Sequence, residues 1–165
     1  MSDLVSEPSS PLDGHVFGED SPCFGCAPTH PIGFRLTFER DQEWLVTRFT
    51  PGEQYQGPPG IMHGGLVTAL ADELAAWVII AQKEQFGFTM TIDARFALPV
   101  RIGSEITGKA RITKDLGRVV EIETELAQNG VRAYTARFKF AILDRSGAER
   151  LLGGPLPDAW AQFAR

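Results

Sequence analysis

The run Gly60-Ile61-Met62-His63-Gly64-Gly65 stands directly before a long apolar segment, and a carboxylate, Asp72, follows Gly64 by eight residues within that segment. If the segment is a helix, its first turn offers N–H groups without intrahelical partners at the positive end of the helix dipole. Two glycines there let a ligand come close to the backbone. Such a terminus suits negative charge developing on a carbonyl oxygen under attack, with Gly64 N–H as the donor. Asp72 is the matching base. A carboxylate on a buried helix is costly unless it is paired or functional, and desolvation raises its pKa and makes it a better base. His63 is expected to position the loop through hydrogen bonds, because no serine or cysteine nucleophile stands at a recognisable spacing from it.

These residues need a helix and a sheet to hold them. Leu66, Val67, Leu70, Leu74, Trp77 and Val78 recur at helical spacing, and the only charges between His63 and Gln82 are Asp72 and Glu73. A helix apolar on all sides is a buried helix, expected from about His63 to Lys83. On a wheel of about 100° per residue, Glu73 falls on the Leu/Val/Trp stripe and Asp72 on the opposite side, with Thr68, Ala75 and Ile79. The wheel leaves open which side faces a pocket.

Phe34 to Arg40 and Trp44 to Phe49 read as strands, and residues 50–60, with three prolines and three glycines, as a loop. After the helix, Thr89–Val100, Glu105–Lys114, Val120–Leu126 and Tyr134–Phe140 alternate apolar with polar. Period-two alternation favours an antiparallel sheet with one solvated face. Turns at Leu116-Gly117 and Asn129-Gly130 fit hairpins. One buried helix and a run of antiparallel strands make an α+β fold whose sheet must wrap the helix.

The Gly60–Gly65 run with Asp72 resembles the signature of the phenylacetate-type (PaaI-like) hotdog thioesterases. Cys23-Phe24-Gly25-Cys26 followed by Pro31-Ile32-Gly33 is similar to an early segment of many members, and Thr91-Ile92-Asp93, Leu98-Pro99-Val100 and Gly103 resemble the strand and turn after their helix. The match runs from about Cys23 to Leu143. It implies an antiparallel sheet around one long central helix, a homodimer with active sites at the interface, and further pairing into tetramers. It also implies acyl-CoA thioester hydrolysis without a cofactor or metal. Gly64 N–H would polarise the carbonyl, Asp72 would be general base or nucleophile, and the hydroxyl at Thr91 would assist the water. Several members carry Asn where this chain has Gly57, so Gln56 or a backbone group would have to replace its amide.

Spacing adds one inference. Gly64 and Asp72 lie about 12 Å apart along a helix, too far to act on one carbonyl. Two antiparallel helices across a two-fold axis would bring Gly64 of one chain opposite Asp72 of the other. Gly65 and Glu73 flank the two groups as binding candidates, with Glu73 the rival base. Arg111, Lys114 and Arg118, around Gly117, are candidates for the CoA phosphates. Trp77, Phe86, Phe88 and Met90 could line an acyl pocket or belong to the core. Two other readings stay open: a dehydratase of the same fold pairing Asp72 with His63, and a non-catalytic acyl-CoA binding module.

Composition sets the bounds. The 165 residues are 43% apolar and 22% charged, with a net charge of −5, ordinary for one globular domain. No basic cluster suggests nucleic acid, no signal peptide is seen, and no apolar run is expected to reach the roughly 18 residues needed to span a membrane, so the expectation is a cytoplasmic protein with no membrane partner. Residues 1–20, rich in Ser, Pro and acid, read as a flexible arm, 21–150 as the domain, and 151–165 as a tail packed on it. The two cysteines, Cys23 and Cys26, fall short of a zinc set even with His30, and Pro28, Pro31 and Gly33 argue against a thioredoxin-like helix after them; they read as structural thiols.

Overall fold

The computed structural model describes residues 12–164. One 20-residue helix, α1 (Gly64–Lys83), packs on a seven-stranded sheet. The strands are β1 (Leu12–Asp13), β2 (Thr37–Asp41), β3 (Trp44–Phe49), β4 (Phe86–Phe96), β5 (Ile106–Asp115), β6 (Val119–Gln128) and β7 (Val131–Leu143). All neighbours are antiparallel in the order β1-β2-β3-β5-β6-β7-β4, so β4 is an edge. Two short helices follow, α2 (Arg145–Leu152) and α3 (Asp158–Ala161). This is the α+β architecture expected, a sheet around one long helix.

The helix forms because its Leu, Ala, Val and Ile residues all have something to bury against. Leu70, Ala71, Leu74, Ala75, Trp77, Val78 and Ile79 are buried against Ile122, Leu126, Tyr134, Phe138 and Phe140 of the sheet. Each such large side chain contributes roughly 1.5–3 kcal/mol by leaving water. Length and hydropathy alone would allow α1 to cross a membrane; here β3 to β7 pack along it. Gly108 lets α1 approach the sheet, since a Cβ there would stand 3.0 Å from Leu74 Cδ2. The helix stops at Glu84, in the left-handed region with φ 51°, whose N–H caps Ile80 O.

The strand boundaries differ from the alternation in instructive ways. Phe34 and Leu36 precede β2 because their N–H groups donate to Phe24 O and Gly25 O, both at 2.9 Å, stitching the cysteine segment to the core instead of extending a sheet ladder. In β4 the register against β7 shifts between Thr89 and Thr91. Thr89 lies opposite buried Phe140, whereas Thr91 lies opposite Lys139. Met90 is the extra residue of a bulge, and simple alternation through it assigns faces wrongly on one side. The Asn129-Gly130 turn has both residues at positive φ, 51° and 74°, as a two-residue hairpin turn requires.

Residues 1–11 of the expected arm lie outside the described residues. Its remainder is not loose. Leu12 and Asp13 pair with Phe38 and Thr37, and Phe17 is buried among Trp77, Phe86, Trp160 and Phe163. An aromatic ring surrounded by four others outweighs the polar composition around it. Trp160 and Phe163 reach this cluster from the C-terminal residues, and Phe86 N–H donates to Phe163 O at 3.0 Å. Helix α2, which the sequence reading did not include, has Asp144 as N-cap, accepting from Gly147 N–H at 2.7 Å, and Gly153 as left-handed C-cap.

Candidate active site

Around the start of α1 the loop is held by its own backbone. His63 N–H donates to Tyr55 O and Gly57 N–H to Ile61 O, both at 2.9 Å, and Met62 N–H donates to Val100 O at 2.8 Å. His63 is the N-cap; its Nδ1 accepts from Gly65 N–H at 3.0 Å. Gly65 is thereby spent as a donor. Gly64 N–H, one residue earlier, has no acceptor among the described residues. It borders an apolar groove of ≈ 390 Å³ lined by Met62, Val67, Phe96, Leu98 and Val100 among others. A larger concavity of ≈ 470 Å³ lies over the charged face of the sheet between Arg95, Glu123 and Arg137, away from this terminus.

Gly57 lies against the cap, where a Cβ would stand 3.2 Å from His63 Cα. Gln56 does not replace an Asn amide there. Its Oε1 accepts from Gly60 N–H at 2.8 Å and closes the loop on itself.

Two turns further along α1, Asp72 is half-buried and accepts a hydrogen bond from Thr89 Oγ1 at 2.8 Å. Burial pushes its carboxyl above the usual aspartate range, and the Thr89 hydroxyl partly opposes this. One turn before it, Thr68 Oγ1 lies 3.2 Å from Tyr134 Oη, and the Tyr134 ring meets Phe96 edge-on at 5.0 Å. Phe96 in turn stands against Gly64. One face of α1 thus runs from Gly64 past Phe96, Tyr134 and Thr68 to Asp72 and Thr89. The expected hydroxyl partner, Thr91, is on the other face of β4, exposed and opposite Lys139; the bulge at Met90 puts Thr89 in its place. Thr89 was missed because nothing in a sequence marks a bulge, and Tyr134 because it reads as one more inward strand residue.

Glu73 does not share the site with Asp72. Its carboxylate is enclosed on the opposite side of α1, where Oε1 accepts from Trp77 Nε1 at 3.1 Å and from Cys23 Sγ at 3.4 Å. The step of about 100° per residue separates the two acids. Burial first, with Asp72 adding to it, raises the Glu73 pKa against three opposing hydrogen bonds. Trp77 is core, stacked on Phe38 at 4.6 Å. Phe86 joins the aromatic cluster around Phe17, while Phe88 and Met90 are exposed.

The cations also sort themselves. Arg111 is engaged, with Nη1 2.6 Å from Glu43 Oε1, Nε 2.5 Å from Glu123 Oε1, and its guanidinium over the Trp44 ring. It is not free for a phosphate. Arg118 lies with Gln85 and Arg150 along a shallow groove of ≈ 340 Å³. That groove is at the C-terminal end of α1, where Lys83 pairs with Asp115 at 2.6 Å, and the helix separates it from Gly64 of the same chain by roughly 30 Å.

Residues 59–132 match the family model described as the thioesterase superfamily. That match covers a little under half of the chain. The acyl-coenzyme A thioesterase THEM5 of Homo sapiens is 29% identical over 91 residues, which are 54% of this chain and 36% of that protein, so the chain spans about a third of its relative's length. A phenylacetic acid degradation-related protein from Ralstonia eutropha superposes with a TM-score of 0.64 at 19% identity, over 77% of this chain and 96% of the other. The Streptococcus mutans protein smu.793, solved with acetyl CoA bound, gives 0.60 at 13% identity, over 65% and 87%. These likenesses establish the hotdog fold, and the superfamily match spans Gly64, Asp72 and Thr89.

Proposed function

We propose that this protein hydrolyses an acyl-CoA thioester to the free acid and CoA, using Asp72 as general base and Gly64 N–H as oxyanion donor, from two different protomers. The observation that carries the reading is the pairing of a partly buried, hydrogen-bonded aspartate with an unpartnered glycine N–H on one helix, within the segment that matches the thioesterase-superfamily model. Asp72, with its pKa raised, takes a proton from water as the water adds to the thioester carbonyl. Charge on the carbonyl oxygen meets the Gly64 N–H and the helix dipole. Collapse of the tetrahedral species breaks the C–S bond, and the thiolate leaves as CoA.

The separation along α1 requires a second copy. Edge strand β4 supports one, because it presents Phe88, Met90, Ile92 and Phe96 at 49%, 53%, 43% and 54% exposure. A long apolar edge is a template for pairing with another chain. Two β4 edges joined antiparallel would set the two α1 helices antiparallel, with Asp72 of one near Gly64 of the other. The same operation would carry Arg118 of one protomer toward the site of its partner. The acetyl CoA bound to the Streptococcus mutans relative favours a CoA thioester as substrate.

The test follows thiol release from acetyl-, hexanoyl-, lauroyl-, phenylacetyl- and benzoyl-CoA by wild type and Asp72→Asn. The proposal expects release by wild type and a drop on the order of 10² or more in kcat for the variant. No release from any substrate would remove the hydrolase reading, and an enoyl thioester as product would replace it with a dehydratase. His63 does not favour the latter, since its Nδ1 is committed to the Gly65 N–H.

A further inference from the structure

The Cys23-Phe24-Gly25-Cys26 segment and Glu73 form a second cluster on the side of α1 away from Asp72. Cys26 Sγ lies 3.0 Å from Cys23 Sγ, Cys26 N–H donates to Cys23 Sγ at 3.3 Å, and Cys23 Sγ donates to Glu73 Oε1 at 3.4 Å. The Trp77 indole fixes the same carboxylate oxygen. Gly25 closes the cluster, since a Cβ there would collide with the Glu73 carboxylate. The two thiols are unequal: Cys23 is partly exposed and Cys26 is buried.

We propose that Cys23 and Cys26 form a reversible dithiol–disulfide centre, with Cys23 as the attacking thiol, Cys26 as the resolving thiol and Glu73 as the proton acceptor between them and the core. The centre is independent of the acyl-transfer reading. The two sulfurs already touch, and only the outer one meets solvent. A tight metal site is the poorer fit. Two sulfurs and one carboxylate fall one short of a closed tetrahedral set, and His30 Nδ1 is turned to its own loop, accepting from Ile32 N–H at 3.3 Å. The electrostatics agree with the division of roles. The Cys26 thiol holds Cys23 below the ordinary cysteine range, while the same hydrogen bond and burial push Cys26 up.

The oxidant is a small disulfide, R–S–S–R, of the glutathione class. Cys23 passes its proton to Glu73 and attacks one sulfur of the oxidant; that S–S bond breaks and RS⁻ leaves. Cys26 Sγ then attacks Cys23 Sγ, a second RS⁻ leaves, and the Cys23–Cys26 bond forms. The protons from Cys26 and Glu73 end on two RSH. Two electrons pass from the protein thiols to the oxidant.

Native protein is treated with glutathione disulfide, alkylated, and weighed intact. Wild type should lose the mass of two hydrogens and resist alkylation, and dithiothreitol should restore both thiols. Cys26→Ser should stop with one glutathione on Cys23. Cys23→Ser should remain unmodified under the same conditions. Glu73→Gln should slow disulfide formation by roughly threefold or more, since the group that accepts the Cys23 proton is lost. Full alkylation of wild type after the treatment would overturn the proposal, as would equal reactivity of the two serine variants. Zinc that shields both thiols from alkylation would overturn it in favour of a metal site.

Discussion

The carboxylate of Asp72 and the hydroxyl of Thr89 meet at 2.8 Å, joining the central helix to the edge strand. The contact exists because the bulge at Met90 turns Thr89 inward and Thr91 outward. It holds the Asp72 carboxylate in one orientation and lowers a pKa that burial raises. Thr89→Val should therefore move the acidic limb of the pH–rate profile to higher pH and reduce kcat/KM by about 10- to 100-fold, on the scale of about 1.5–3 kcal/mol for a hydrogen bond to a charged group. Thr91→Val should leave both unchanged. The two profiles measured side by side check the assignment, and a shift confined to Thr91→Val would restore the residue that family spacing selected.

Asp72 itself links activity and stability with opposite signs. Its folded pKa is raised above the unfolded value, so the native state binds more protons than the unfolded state between the two values. Stability then falls as pH rises through that window, while the fraction of ionised base, and with it the rate, rises. Glu73, raised by burial in the same direction, adds to the stability trend. Asp72→Asn should lose activity on the order of 10²-fold or more, yet melt at the same or a higher temperature than wild type at neutral pH. Thermal melts from the ordinary carboxylate range up to neutral pH, for wild type and variant, check the sign.

Hydrophobic periodicity located α1 to within a residue, because a helix apolar on all sides leaves no other reading. The strands β5, β6 and β7 were legible for the complementary reason, one face wet and one dry. Asp72 and Glu73 could not be separated by the wheel, because both faces of a buried helix meet protein. What divides them is the partner: a threonine from the edge strand for one, a tryptophan and a thiol for the other. The packing of residues 12–17 was hidden in a polar segment because one phenylalanine decides it. Arg111 read as a free cation because its partners, Glu43 and Glu123, are distant in sequence.

The first position of α1 offers a direct test of the oxyanion role. Gly64 follows His63, whose φ −58° and ψ 129° are the extended values a residue before proline prefers. Proline is well tolerated at the first helical position, where no intrahelical N–H bond is lost. Gly64→Pro should therefore fold and keep the helical content of wild type while deleting the one N–H that the proposed chemistry uses. The expected loss in kcat is about 10²–10³-fold, the usual effect of removing one oxyanion donor. Circular dichroism and thiol-release kinetics on the same preparation check it; a folded, fully active Gly64→Pro would move the donor elsewhere.

The assembly is tested at the edge strand. Ile92 pairs across β4–β7 with buried Phe138 but is itself 43% exposed, so a charge there leaves the protomer core intact while placing like charges near one another across a β4–β4 junction. Like charges in register are destabilising, and a charged edge is a common natural block to strand pairing. Ile92→Lys should shift the protein to monomer in sedimentation or light scattering, with its far-ultraviolet spectrum unchanged. Because Gly64 and Asp72 of one chain lie about 12 Å apart, that monomer should release little or no thiol from acyl-CoA. The complementary experiment mixes Gly64→Pro with Asp72→Asn. Each homodimer carries two damaged sites, but a mixed dimer has one site made of intact Gly64 and intact Asp72 from different chains. Subunit exchange should restore activity toward one quarter of the wild-type level, since half the dimers are mixed and each has one good site of two. A fully active monomer, or no recovery on mixing once exchange is demonstrated, would place both groups within one chain and overturn the shared site.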